Sequence, residues 1–269
     1  MIIIARKYGQ TCNRLFQYAH FYAYCREHNI KLFNPTFRDL RKYFGVQDKN
    51  SERAHILSVL YYLPKMLLCL ITGKFLNINS EEKNIKAQEI LKNGDHLVWG
   101  WGFRNHRNFV KHADEIKQYF AINTDLVKKT SLEFESRRKE FDIAVGVHIR
   151  RGDYKIWAEG RYYYENDSYV SFMKKMAELF PQKRILFVVC SNENLDEKKY
   201  SDFETKNRKL WFPRQDFINE LFLLSRCDWI IGPPSTYSHW ASFYGSAPCL
   251  HLISKEQNIN LSEFKVCEG

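Results

Sequence analysis

A chain of 269 residues exceeds the usual span of one domain, and its 45% hydrophobic, 16% aromatic composition excludes a disordered polymer. With 41 Lys and Arg against 31 Asp and Glu, the formal net charge is +10, which favours phosphorylated or otherwise anionic ligands. The basic residues are scattered, without zinc-finger spacing, an RNP-type aromatic motif or a basic helix, so nucleic acid is not expected as a partner.

The chain opens on Met1-Ile2-Ile3-Ile4-Ala5-Arg6, an apolar run that reads as a strand and lacks the layout of a signal peptide. Cys12, Cys25, Cys69, Cys190, Cys227, Cys249 and Cys267 are odd in number and mostly set in apolar runs. They read as buried thiols of a reducing compartment, and the absence of CxxC argues against a zinc or redox site. A cytoplasmic location is expected.

After Gly9, Leu15, Phe16, Ala19 and Ala23 recur at helical spacing, predicting a helix over 13–28. Strand, glycine-bearing loop and helix together open an α/β unit. Residues 31–34 predict a second strand, closed by Pro35, while 39–89 give a weaker pattern. Within that region, 56–71 is apolar but interrupted by Pro64 and Lys65, and it is too short to span a bilayer. Two readings stay open: a packed helix pair, or an interfacial helix that gives peripheral association with the inner face of a membrane bearing a lipid-linked acceptor.

Further strands are predicted at 96–101, 143–149, 185–190 and 229–231. Helices are predicted at 109–120, 125–139, 168–180, 216–227 and 236–244. This alternation predicts a doubly wound parallel sheet, whose ligands bind beyond the carboxyl ends of the strands. The boundary between two domains is placed near residue 140, giving 1–140 and 141–269.

Three segments carry chemistry. The strand 143–149 delivers Arg150-Arg151-Gly152-Asp153-Tyr154, with His148 just before it. Arginine offers a permanently charged planar fork that matches phosphate oxygens, and Asp153 can fix the rotamer of one of the pair. Gly232-Pro233-Pro234-Ser235-Thr236-Tyr237-Ser238 follows the strand 229–231, bringing hydroxyls and a helix N-terminus to one point, a second phosphate cradle. Gly9-Gln10-Thr11-Cys12-Asn13 forms a similar turn near the start. It is neither GxGxxG nor a P-loop, which argues against a dinucleotide oxidoreductase or a P-loop kinase.

Together, Asn13-Arg14-Leu15-Phe16-Gln17-Tyr18-Ala19, HIRRGDY at 148–154 and GPPSTYSHWASF at 232–243 resemble the α-1,2-fucosyltransferases of glycosyltransferase family 11. The resemblance implies an α/β, GT-B architecture of two Rossmann-like domains facing across a cleft. It implies a donor domain at 141–269 and an acceptor-side domain at 1–140. The reaction it implies is an inverting, metal-independent transfer of fucose from GDP-fucose to a glycan, through the 2-hydroxyl of a galactose-type residue of a surface polysaccharide or lipid-linked oligosaccharide. No cofactor and no metal are expected.

In this reading Arg150 binds the leaving β-phosphate, Arg151 supports it and His148 lies near the nucleoside. Ser235, Thr236 and Tyr237 hold the phosphates from the opposite side, and Asn13 approaches from the N-terminal domain. Asp153 is a candidate base, though orienting the arginines is its first role. The chain departs from the family pattern at Arg14, where the family has Gln, and at His239-Trp240, where it has Trp-Trp. The loop that in relatives supplies a carboxylate to guanine reads Ser191-Asn192-Glu193, so Asn192 and Glu193 are the candidates there. A transferase using another nucleotide sugar, or a non-enzymatic binder of polyanions or phosphorylated glycans, are the competing readings.

Overall fold

The computed structural model describes residues 1–45 and 52–269, apart from the side chains of 52–59 and 61. It separates into two compact units, Met1–Asn123 with Glu268–Gly269, and Thr124–Cys267.

The first unit contains β1 (Ile2–Ile4), α1 (Thr11–Glu27), β2 (Leu32–Phe33), α2 (Glu52–Ile71), β3 (Phe75–Asn77), α3 (Glu81–Ile90), β4 (His96–Trp99), α4 (His106–Lys111) and α5 (Ala113–Tyr119). Its sheet runs β2-β1-β4-β3, all parallel. The second unit contains α6 (Thr124–Arg138), β5 (Ile143–Ile149), α7 (Asn166–Glu178), β6 (Ile185–Ser191), β7 (Arg208–Trp211), α8 (Phe217–Ser225), β8 (Trp229–Gly232), α9 (Thr236–Gly245) and β9 (Cys249–His251). Its parallel sheet runs β7-β6-β5-β8-β9.

That strand order places a topological switch point at β5, whose neighbours β6 and β8 lead away in opposite directions. Ligands of open α/β sheets sit at such a point. All seven residues of β5 are buried, because helices cover both faces of a parallel sheet and the strand must be apolar throughout. Val145, Val147 and Ile149 share a core with Phe187 and Val189 of β6 and Phe172, Met173 and Met176 of α7. The site is therefore built on a rigid strand.

Two expectations change. The units meet between Asn123 and Thr124 rather than near 140, so the charged helix α6 belongs to the second unit. Its contacts explain why: the Thr130 hydroxyl donates to Asn219 Oδ1 at 2.6 Å, and the Phe134 ring lies 6.4 Å from that of Trp211.

The second change concerns 56–71, which is part of one helix, α2, carrying Pro64 inside it, rather than a packed pair. Leu60, Leu63, Leu67, Leu68, Leu70 and Ile71 are exposed while Cys69 is buried, so the interfacial alternative remains. The side chains of 56–59 and 61 lie outside the described residues. Among the described residues, no helix is long and apolar enough to cross a membrane.

Candidate functional site

The carboxyl ends of β5, β6 and β8 bring three loops together in the second unit. β5 ends in Arg150-Arg151-Gly152-Asp153, β6 in Asn192-Glu193, and β8 in Pro233-Pro234-Ser235. Gly152 has φ +57°, a conformation that side chains disfavour, and a Cβ there would lie 3.1 Å from Asn192 Nδ2. The sharp turn holds the two arginines in different environments.

Arg151 is buried. Its Nε donates to the Tyr164 carbonyl at 3.1 Å and its Nη2 to Asn166 Oδ1, while the Tyr200 hydroxyl donates to the same Asn166 oxygen at 2.8 Å. This guanidinium faces the protein interior. Arg150 instead pairs through Nη2 with Asp153 Oδ2 at 3.0 Å and lies over the Tyr154 ring at 5.7 Å. Its side chain is 17% exposed, and that of Asp153 is 51% exposed. The carboxylate thus steers the more accessible arginine.

Asn192 and Glu193 act on the same loop. Asn192 Oδ1 accepts from the Arg151 N–H at 2.8 Å, and Glu193 Oε1 accepts from the Gly152 N–H at 2.9 Å. Both residues pin the turn that carries Arg150 and Arg151, a task their position in sequence does not disclose.

The third loop joins through the Tyr154 hydroxyl, which donates to the Pro234 carbonyl. Ser235 caps α9, accepting from the Tyr237 N–H at 3.2 Å, and the Tyr237 hydroxyl donates to the Phe217 carbonyl. Ser235, Thr236 and Tyr237 are half-buried at the start of α9, whereas Ser238 and Trp240 of the same motif are core. His148 is buried beside the Tyr237 ring, centroids 5.1 Å apart. Burial first, then the positive charge of Arg150, hold its imidazole down at about 3, so it is neutral near pH 7.

Glu220 escaped the sequence reading. It lines a cavity of about 250 Å³ with Ser191, Asn192, Glu193, Phe212 and Arg214, beyond the end of β6. Burial pushes its carboxyl up to about 8, against backbone N–H groups of Gln215 and Ser191 that favour the charged form. A lone carboxylate in the apolar run Phe217-Ile218-Asn219-Glu220-Leu221-Phe222 was the available signal.

In the first unit, Asn13 lies in the first turn of α1 and folds against Gly9, where φ is +64° and a Cβ would fall 2.2 Å from Asn13 Nδ2. At Arg14, where the chain departs from the family pattern, a buried guanidinium pairs with a half-exposed carboxylate: Nη1 and Nη2 bond Asp39 at 3.0 and 2.6 Å. That pairing holds Asp39 well below the usual carboxylate range. Gln17 Nε2 donates to the Gly100 carbonyl at 2.6 Å, so much of this motif is packing.

A family profile described as glycosyl transferase family 11 matches residues 65–266. The chain belongs to glycosyl transferase family 11. Among its relatives is an alpha-1,2-colitosyltransferase of Escherichia coli, 25% identical over 272 residues, covering 90% of this chain and 87% of that protein. Among solved structures, a mutant of Arabidopsis thaliana FUT1 in complex with GDP superposes with TM-score 0.64 at 12% identity, covering 98% of this chain and 73% of the other. POFUT1 in complex with GDP-fucose gives 0.53 at 10% identity, covering 90% and 93%. These likenesses bear out the expected α/β, GT-B fold class, and membership of the family makes this chain a glycosyltransferase.

Proposed function

We propose that this family 11 glycosyltransferase moves fucose from GDP-fucose, with inversion, to the 2-hydroxyl of a galactose-type residue in a surface polysaccharide or lipid-linked oligosaccharide. One observation carries the reading. Arg150, steered by Asp153, stands at the end of β5 on a loop that Tyr154 ties to the capped N-terminus of α9.

As the acceptor oxygen bonds to the sugar C1, the bond from C1 to the β-phosphate oxygen breaks, the diphosphate takes the electron pair and the acceptor's hydroxyl proton passes to solvent water. A fixed guanidinium and helix N–H groups stabilise that charge as it grows. Arg150, Ser235, Thr236 and Tyr237 are the donors in this scheme. Arg151, with its guanidinium turned inward, is a positioning residue. Asp153, half-exposed and paired with Arg150, orients the guanidinium rather than taking the acceptor proton. His148, neutral and buried against Tyr237, shapes the floor.

The cavity lined by Glu193 and Glu220 suits a base with N1–H and amino donors such as guanine. The neighbours solved with GDP and GDP-fucose support this donor class, and the name of the Escherichia coli relative supports a 1,2 linkage. That relative is named for colitose, which favours as second reading a transferase of another nucleotide sugar.

A thermal-shift comparison of GDP, UDP and ADP, followed by linkage analysis of products from GDP-fucose and other nucleotide sugars, tests both. Stabilisation by GDP scales with its concentration over its Kd. Equal stabilisation by UDP would sink the guanine assignment, and transfer from another GDP-sugar alone would replace fucose.

A further inference from the structure

Among the described residues, His239, His251 and Cys267 place their ligand atoms, two imidazole nitrogens and a sulfur, within 4.8 Å of one another. Three separate elements deliver them. His239 lies in the first turn of α9, at the position where the chain departs from the family's Trp-Trp pair. His251 ends β9, in register with Gly232 of β8. Cys267 sits in the C-terminal segment, just after Lys265 bridges antiparallel to Cys249. No short spacing links these positions in the sequence, so the absence of CxxC says nothing of them.

The cluster has the character of a built site. The Cys267 N–H donates to Ser242 Oγ at 3.0 Å, and that hydroxyl donates to the Ala247 carbonyl at 2.6 Å, which fixes the cysteine backbone against α9. The two imidazole centroids are 5.8 Å apart. The His251 Nε2 is buried with no hydrogen-bond partner among the described residues, a state that costs free energy unless something satisfies it. All three residues are half-buried.

We propose that His239, His251 and Cys267 bind a zinc ion that braces the C-terminal segment against the start of α9. Two imidazoles and a thiolate suit a borderline-soft divalent cation and not Mg²⁺ or Ca²⁺. At about 2.0–2.1 Å to nitrogen and about 2.3 Å to sulfur, tetrahedral ligand atoms stand about 3.3–3.6 Å apart, so side-chain rotations closing the set by about 1 Å bring the three ligands onto one ion, with a water in the fourth tetrahedral position. The ion is structural: it holds the helix whose N-terminus carries Ser235, and it is no part of the diphosphate clamp. The inference stands whichever sugar the enzyme transfers.

The test uses the full chain, stripped with a chelator, dialysed and kept reduced with a phosphine. Addition of Co²⁺ is expected to give tetrahedral d–d bands and a thiolate-to-cobalt charge-transfer band that saturate at one equivalent, and one equivalent of Zn²⁺ discharges them. Zinc also raises the thermal midpoint. Cys267→Ser loses the charge-transfer band, and His251→Gln weakens zinc binding at least tenfold. Cys249→Ser keeps the band, which separates this site from a simple pair of neighbouring thiols. Absence of a stoichiometric cobalt spectrum in the unmodified chain, or an unchanged charge-transfer band in Cys267→Ser, overturns the proposal.

Discussion

The Tyr154 hydroxyl donates to the Pro234 carbonyl and so ties the turn after β5 to the turn after β8. These two loops carry the arginine and the helix N-terminus that together receive the diphosphate in our reading. Tyr154→Phe keeps the ring beneath Arg150 and deletes this bond together with the hydroxyl's hydrogen bond to Ser235. A loss of about 1 kcal/mol in stability is expected, with kcat/KM reduced more than stability alone explains. Urea unfolding and initial rates measure the two effects, and an unchanged kcat/KM would show that the tie does not organise the site.

The adjacent arginines make opposite predictions. Arg150→Ala removes the accessible guanidinium and is expected to lower kcat by about 10²- to 10³-fold while the thermal midpoint stays close to that of the parent. Arg150→Lys recovers part of the rate, because a point charge replaces a planar fork. An Arg150→Ala enzyme turning over at the parental rate would refute its assignment to the leaving group.

Arg151→Ala should instead destabilise by about 2–3 kcal/mol, since the Tyr164 carbonyl and Asn166 lose a buried charged donor. If Arg151→Ala folds with parental stability and loses only activity, the division of labour between the two arginines is wrong.

That division was not legible in the sequence, where both residues are arginine in one turn. It is decided by Tyr164 and Asn166, which arrive on the segment leading into α7. The strands β5 and β6 were legible because a parallel strand covered on both faces must be an unbroken apolar run. The edge strands β7 and β9 were not: Arg208-Lys209-Leu210-Trp211 is half solvated and Cys249-Leu250-His251 is three residues long. Asn192 and Glu193 were legible as the residues that follow β6, but their hydrogen bonds to the Arg151 and Gly152 amides depend on the register of β5 against β6. Glu220 shows in the sequence only as a lone carboxylate in an apolar run, and its place beside Asn192 and Glu193 depends on the packing of α8 at the end of β6.

His148 and Glu220 set a pH window for stability. The imidazole of His148 falls from 6.5 to about 3 on folding, so below 6.5 the unfolded chain takes up a proton that the folded chain refuses. Stability from this group is complete above 6.5 and declines as the pH drops. Glu220 rises from 4.5 to about 8, so above 4.5 the folded chain keeps a proton that the unfolded chain releases. Its contribution is complete below 4.5 and is lost towards 8.

Between 4.5 and 6.5 the two slopes oppose and cancel. Of these two groups only Glu220 titrates from 6.5 to 8, and its contribution falls by at most about 1.4 kcal/mol per pH unit. Urea midpoints of Glu220→Gln should therefore lose this alkaline decline. The same slope in the variant and the parent would remove Glu220 as its source.

In the proposed scheme a guanidinium and helix N–H groups neutralise the charge that leaves with the diphosphate, the work a Mg²⁺ ion performs elsewhere. Initial rates are expected to agree within a factor of two with and without added Mg²⁺ or Mn²⁺, in enzyme saturated with zinc so that the brace on α9 is constant between samples. In Arg150→Ala, added Mg²⁺ should restore part of the lost rate, because a cation can then shield the exposed phosphate oxygens. A tenfold dependence of the parent enzyme on Mg²⁺ would show that the arginine turn does not suffice for the leaving group.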